Sequence, residues 1–185
     1  MTPTTEILTE RLRLRPPTLA DAGQIFARYG QDAEVSRYMS WIPHRSVEDT
    51  VAFLKRIVGD NAEGRSLGFL IFSRASNELL GSVGGSIEKH RMQFGYCLAR
   101  DAWGYGFATD AARAFVAAAL EVSALWRVQA FCDVENTASA RVLEKIGLDR
   151  EGTLRRYMVL PNLGNAPRDV FCYATVREST APLAS

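Results

Sequence analysis

The chain has 185 residues, of which 47% are hydrophobic and 23% charged, with a formal net charge of +1. That length suits a single domain over residues 1–185 with a sizeable core, and it is short for two. Near-neutral charge gives no broad field toward nucleic acid or a membrane surface, so the expected partner is small or locally recognised.

No apolar run approaches a membrane span, and the opening MTPTTEILTE lacks the basic and apolar regions of a secretory signal, so the expected location is cytoplasmic. Cys97, Cys132 and Cys172 fall in strand-like runs without metal-ligand spacing. They read as buried, reduced hydrophobes rather than as a disulfide or metal site, and no metal is expected.

In chain order, RLRLR at residues 11–15 alternates charge with leucine, the period of a half-buried strand. Pro16 and Pro17 end it. Thr18, with Asp21 three residues on, caps a predicted helix reaching about Tyr29, with Leu19, Ala22, Ile25 and Phe26 on its apolar face. A second helix is predicted from Ser46 to about Val58, its first turn made acidic by Glu48 and Asp49. Between them lies YMSWIPH at residues 38–44. It is either a hydrophobic plug under a loop or a substrate-pocket wall, with Trp41 and His44 as the candidate substrate-facing residues.

SLGFLIFS at 66–73, LLGSVGGSIE at 79–88 and QFGYCL at 93–98 read as three antiparallel strands joined by short turns. Gly81, Gly84 and Gly85 are unusual inside a strand and predict a bulge or a close backbone approach. Next comes WGYGFATDAARAFVAAA, in which Gly104 and Gly106 open an alanine-rich helix reaching about Val122. Strand, glycine loop and helix in this order leave unpaired N–H groups at the positive end of a helix dipole, which suits an anion such as a phosphate. The loop lacks the third glycine of a dinucleotide fingerprint and the Gly-Lys-Ser/Thr of a Walker loop. The leading hairpins likewise disfavour a Rossmann-type domain.

WRVQAFCD at 126–133 is the next strand, and the helix joining it to QFGYCL makes the two parallel. Asn136 caps a helix that turns Val142, Leu143 and Ile146 inward and stops at Gly147. Residues 148–159 and 168–177 are the last strands, joined by LPNLGNAP, and 179–185 reads as a frayed tail. The total is about seven strands and about four helices, an α/β (α+β) arrangement.

The ordered set RLRLRPP, WIPHRSVEDTVAFL, LLGSVGG, FGYCLARDAWGYGFATDA, VQAFCDVENTASARVLEKIGLDREGTLRR and RDVFCYA resembles the GNAT N-acetyltransferases, and within them the Rim-type branch that acetylates ribosomal-protein N-termini. The resemblance implies a mixed, mostly antiparallel sheet whose central parallel pair splays apart to admit acetyl-CoA. It implies a pantetheine arm paired with backbone near Tyr96, Cys97 and Leu98, and a pyrophosphate held by amides of Trp103, Gly104, Tyr105, Gly106, Phe107 and Ala108. Trp103 replaces the usual Gln or Arg, and Thr109 adds a hydroxyl. Asn136 matches the family residue that contacts the CoA arm, and Ser139 the serine near the thiol.

Many members of the family place a tyrosine acid where this sequence has Leu143, so Ser139 becomes the candidate acid and Glu88 the candidate base. A backbone N–H near Leu98 is the candidate donor to the thioester carbonyl. The activity implied is acetyl transfer from acetyl-CoA to a primary amine, foremost the α-amino group of a protein or peptide N-terminus, by a monomer or homodimer. Acetylation of an amino acid, polyamine or aminoglycoside, and a non-catalytic acyl-CoA-binding module, are the alternatives.

Overall fold

In the computed structural model residues 6–177 are described; the predicted tail at 179–185 lies outside them. One eight-stranded sheet has the order β1-β2-β3-β4-β5-β6-β8-β7. Its strands are β1 (Ile7–Leu8), β2 (Leu12–Arg15), β3 (Ser66–Ser73), β4 (Leu79–Glu88), β5 (Arg91–Leu98), β6 (Arg127–Asp133), β7 (Asp149–Met158) and β8 (Arg168–Val176). The helices are α1 (Ala22–Ile25), α2 (Ala33–Ser36), α3 (Val47–Ala62), α4 (Phe107–Leu120) and α5 (Thr137–Lys145).

Two short elements add to the expected counts of about seven strands and about four helices. The two-residue β1, paired with β2, is too short to show a period. The helix expected to run on to Tyr29 is broken into a 3₁₀ turn (Leu19–Asp21), α1 and a π turn (Phe26–Gly30), and the four-residue α2 follows, capped by Asp32.

The sheet is covered on both faces. Leu67, Phe69 and Ile71 of β3 pack with Phe115 and Val116 of α4 on one side, while Leu70 and Phe72 join Ile25 of α1 and Leu54 of α3 on the other. Burial of both faces explains why β3 is a continuous apolar run rather than an alternating one. The predicted irregularity in β4 is present as both alternatives. Pairing with β3 slips between Ile71 and Phe72, and a Cβ at Gly81 would lie 2.1 Å from the Cys97 carbonyl oxygen, so only glycine lets β4 and β5 approach there.

β5 and β6 are parallel, as expected from the intervening helix, and they pair only at Arg91↔Arg127, Met92↔Val128 and Gln93↔Gln129. Beyond Gln93 the two strands part. β5 stays paired with β4 to Leu98 and β6 with β8 to Asp133. The wedge between them is the central feature of the fold, because it opens a strand edge in the middle of a sheet without exposing either strand's outer neighbour. No helix among the described residues is long and apolar enough to cross a membrane.

Candidate functional site

At the end of β5 the chain makes a 3₁₀ turn (Arg100–Ala102) and passes through Gly104 (φ +84°) and Gly106 (φ +79°) into α4. Both glycines occupy the left-handed region, where a side chain is strained. The amides of residues 104–109 have no acceptor among the described residues, and residues 103–106 are exposed. Six N–H groups are therefore presented at the N-terminus of a 14-residue helix, an arrangement suited to an anion.

The loop is held from two sides. Trp103 Nε1 donates to the Leu98 carbonyl at 2.8 Å, which folds the indole back onto β5 and commits its only polar atom. Arg11, at the entrance to β2, donates from Nη1 to the Tyr105 carbonyl at 2.9 Å and from Nε to Asp110 Oδ2 at 2.8 Å. Its guanidinium sits 5.0 Å from the Phe107 ring centroid. Nothing in the sequence marks Arg11 as a loop support, since its partners lie more than ninety positions away.

A cavity of about 420 Å³ begins in the wedge and continues across the sheet toward α3. On the wedge side it is lined by Tyr96, Cys97, Ala130, Cys132, Asn136 and Ser139. Asn136 Oδ1 accepts from the Ser139 amide at 3.1 Å and so caps α5; its Nδ2 has no acceptor among the described residues. The turn that presents it is fixed by Asp133, 2% exposed, which accepts from the Glu135 amide at 2.9 Å and is clasped by Arg168 of β8. Burial works against the Asp133 charge, but the Arg168 and backbone donors hold its carboxyl below the ordinary range.

Ser139 Oγ lies 3.0 Å from the Tyr96 hydroxyl. Burial pushes that phenol up to about 12 against the lowering effect of the Ser139 contact, so it is protonated at any working pH. Cys97 and Cys132 are free thiols, both pushed up chiefly by burial, Cys132 to about 11. They are neutral hydrophobic walls, in keeping with the reading of the cysteines.

The other end of the cavity is built from side chains gathered from several separate elements. Tyr38 and Trp41 come from the linker after α2, Phe53 and Arg56 from α3, Phe131 from β6, and Met158 and Leu160 from the end of β7. Asn162 ties these pieces together, its Nδ2 donating to the Ser36 carbonyl at 2.6 Å and the Trp41 carbonyl at 2.8 Å. Sequence reasoning missed Asn162, because the loop LPNLGNAP reads only as a connection.

It also missed the bulge in β7, where three residues lie between Leu154↔Val170 and Met158↔Arg168 against a single residue on β8. Arg156 takes φ +52° there and its amide donates to Asp169 Oδ1 at 2.8 Å. The bulge sets Tyr157 against Phe131, ring centroids 5.0 Å apart, and returns Met158 to the cavity.

Among the predicted residues, Leu98, the loop 103–109, Glu88 and His44 are not part of this lining. Glu88 is at the β4–β5 turn, 68% exposed and 2.6 Å from Arg91, whose hydrogen bond holds its carboxyl below the ordinary range. His44 stands behind Trp41 with its ring between those of Trp41 (5.5 Å) and Phe53 (5.7 Å) and its Nδ1 2.8 Å from Thr50 Oγ1. Among the described residues the cavity lining holds no histidine and no glutamate, and Asp60 is its one carboxylate. Asp60 is paired with Arg65 at 2.6 Å. Among the described residues no group of acidic, cysteine or histidine side chains is arranged to hold a metal ion.

Comparison with known proteins matches residues 11–149 to the acetyltransferase (GNAT) domain model. The chain is 32% identical over 154 residues to an uncharacterized N-acetyltransferase, p20, of Bacillus licheniformis, covering 82% of this chain and 86% of that one. Among solved structures, a GNAT-family acetyltransferase from Bacillus anthracis superposes with TM-score 0.79 at 27% identity, covering 92% of this chain and 98% of that one. RimL, described as a ribosomal L7/L12 α-N-protein acetyltransferase and solved with coenzyme A, has TM-score 0.83 at 21% identity over 92% and 97% of the two chains.

Proposed function

The chain belongs to the GNAT family of acetyltransferases and is an acyltransferase, and on that premise we propose that it acetylates the α-amino group of a protein or peptide N-terminus from acetyl-CoA. The observation that carries the donor half of this reading is the row of unpaired amides at 104–109, in the segment that leads from the parted end of β5 into α4. The amides of Gly104, Tyr105, Gly106, Phe107, Ala108 and Thr109 would hold the diphosphate. Trp103 contributes by fixing the loop to Leu98 rather than by touching phosphate. The free edge of β5 at Tyr96, Cys97 and Leu98 would take the pantetheine amides as a strand partner does, and Asn136 Nδ2 would meet the arm from the other wall. Acetyl-CoA supplies the acyl group as an activated thioester.

The residues at the end of the wedge then have three tasks. A backbone N–H near Leu98 would face the thioester carbonyl, a preorganised donor of the kind that typically contributes several kcal/mol. Ser139 would offer a proton to the departing sulfur, since Leu143 provides none. Shared confinement brings amine and thioester together, which removes much of the entropic barrier.

The acceptor assignment rests on what the cavity lacks. With its single carboxylate engaged by Arg65, the lining has no free side chain to accept a proton from an ammonium. An amine must then arrive neutral or lose its proton to water. α-Amino groups titrate near 7.7–8.0 and alkyl amines near 10.4, so at neutral pH a site without its own base favours the former by roughly two orders of magnitude in neutral fraction. The lining likewise offers no acidic cradle for a polyamine or aminoglycoside. RimL, which shares the fold, is named for α-N-acetylation of a ribosomal protein, and this adds to the reading.

Calorimetry with CoA and thiol-release assays on peptides free or blocked at the N-terminus test both halves. CoA binding with turnover of the free α-amine, and a rate that rises with pH along the acceptor's own titration, is expected. Absence of CoA binding overturns the donor half. Binding with turnover confined to lysine side chains or polyamines overturns the acceptor half, and binding with no turnover of any amine favours a CoA-binding module.

A further inference from the structure

We propose that Tyr96 is a positioning residue for the acyl transfer, its hydroxyl donating to Ser139 Oγ so that the serine proton is left to point into the wedge at the departing sulfur. This inference rests on the reading of Ser139 as proton donor given above. It starts from two oxygens, carried on different elements, that meet inside the cavity wall.

Tyr96 projects from β5 just where that strand has lost β6 as a partner, and Ser139 stands in the first turn of α5. Both line the cavity, and their oxygens are 3.0 Å apart. The Ser139 carbonyl is a second acceptor for the same phenol, at 3.4 Å, and the shorter contact takes the stronger bond.

The direction of the bond follows from the two groups. A phenol is the more acidic hydroxyl and the better donor. Once Ser139 Oγ accepts from it, the serine proton cannot be spent on Tyr96 and turns to whatever fills the wedge. Ser139 Oγ has no hydrogen-bond partner among the described residues other than the Tyr96 hydroxyl, so its proton is not drawn back to a carbonyl of the preceding turn. The same contact ties the β5 wall to the α5 wall across a wedge that has no backbone pairing of its own.

In the transfer the amine nitrogen forms its bond to the acyl carbon, and the carbon–sulfur bond breaks with its electron pair on sulfur. Sulfur takes the Ser139 proton, and the serine is restored by the proton that leaves the amine nitrogen, carried through water. Atoms and charge balance without a further reagent, and Tyr96 keeps its own proton throughout.

The test is a cycle of Tyr96→Phe, Ser139→Ala and the double variant, with CoA affinity measured by calorimetry beside the kinetics. Phenylalanine keeps the ring that packs against Phe94, so the change is confined to the hydroxyl. Tyr96→Phe is expected to lower kcat about tenfold, with KM for acetyl-CoA and the CoA Kd within about twofold of wild type. Ser139→Ala is expected to lower kcat further, and the double variant to be no slower than Ser139→Ala alone, because Tyr96 acts only through the serine. Independent, multiplying effects overturn the proposal, since they would give Tyr96 a structural or separate role. Unchanged kcat in Tyr96→Phe overturns it too. In both cases wild-type CoA binding and turnover stay intact, which separates failure of this pairing from failure of the acetyltransferase reading, where wild type itself would bind no CoA.

Discussion

The two parts of the proposed site are made of different material. The part proposed for the donor is largely main chain: two glycines at positive φ, a helix start with unpaired amides, a capping asparagine and the bare edges of two parted strands. The part proposed for the acceptor is side chain, gathered from a linker, a helix, a strand and a bulged strand end, and fastened by one asparagine amide. A ligand common to a family can be met by backbone, whose geometry is preserved by turn and cap chemistry. A ligand particular to one protein must be met by side chains, and here these come from an irregular linker and a bulged strand end as well as from α3 and β6. Substitutions at four positions probe this division, and those at the first three should separate cleanly into donor and acceptor effects.

Gly106→Glu has the largest expected effect and acts on the donor end alone. The left-handed backbone at Gly106 strains any side chain by roughly 1–2 kcal/mol, and a Cβ there would meet the Arg11 guanidinium at 3.3 Å. The carboxylate would also put negative charge against the amides that are to receive phosphate. CoA binding is expected to fall below calorimetric detection while circular dichroism stays that of wild type. Gly106→Ala, which carries the strain without the charge, should weaken binding by roughly tenfold. Binding of CoA by Gly106→Glu at wild-type affinity would mean that the diphosphate lies elsewhere.

Asn162→Ala is the acceptor-end counterpart. It leaves the Ser36 and Trp41 carbonyls without their shared donor and frees the linker that carries Tyr38 and Trp41 from the loop after β7. A part-buried carbonyl that loses its partner costs about 1–3 kcal/mol, so kcat/KM for the acceptor should fall roughly tenfold or more while the CoA Kd stays within about twofold. Equal loss at both substrates would show that the two ends are not built independently.

The same division decides what was legible in the sequence. Gly104, Gly106 and Asn136 announce their backbone roles by residue type and by position beside an alanine-rich helix or before an apolar one, so the loop, the cap and the parallel order of β5 and β6 could be written down in advance. The β4 glycines likewise announced a slip and a close approach. Arg11, Asn162 and the Arg156 bulge could not be found that way, because their partners are distant in sequence and their residue types are those of ordinary surface loops. Glu88 was drawn toward the site by its place at the end of a cleft-lining strand, yet a strand end at a hairpin is open to water, and Arg91 three residues on is the nearer partner. Ser139 was read from the resemblance to the family, whereas Tyr96, two residues from the end of β5, gave no sign that its hydroxyl reaches α5. β1 and α2 were overlooked because neither is long enough to hold a period.

Trp103→Phe sharpens the donor side at smaller scale. The ring is 47% exposed, so its removal from packing matters little, and what is lost is the Nε1 bond to the Leu98 carbonyl. One such bond contributes about 1 kcal/mol, so CoA affinity should fall roughly fivefold with acceptor KM unchanged. A loss as large as that of Gly106→Glu would instead assign the indole a direct contact with the ligand.

His44 tests whether the acceptor wall has a titratable support behind it, and its effect is the smallest. Burial between Trp41, Phe53 and the close backbone at Gly30 disfavours the imidazolium, with Asp49 only partly offsetting this, so its pKa lies below the ordinary histidine value. A histidine held low in the fold takes up its proton more readily when unfolded. Its contribution to stability is therefore complete above the ordinary value near 6.5 and is lost as pH falls through the folded value. Denaturation midpoints should decline on the acid side of neutrality, and acceptor KM should rise over the same range as Trp41 loses its backing, with CoA affinity flat. His44→Phe should lower the midpoint at every pH, since Thr50 Oγ1 loses its partner, but should flatten that acid slope. An unchanged slope in His44→Phe would move the acid sensitivity to another group and leave the aromatic wall without a proton-linked prop.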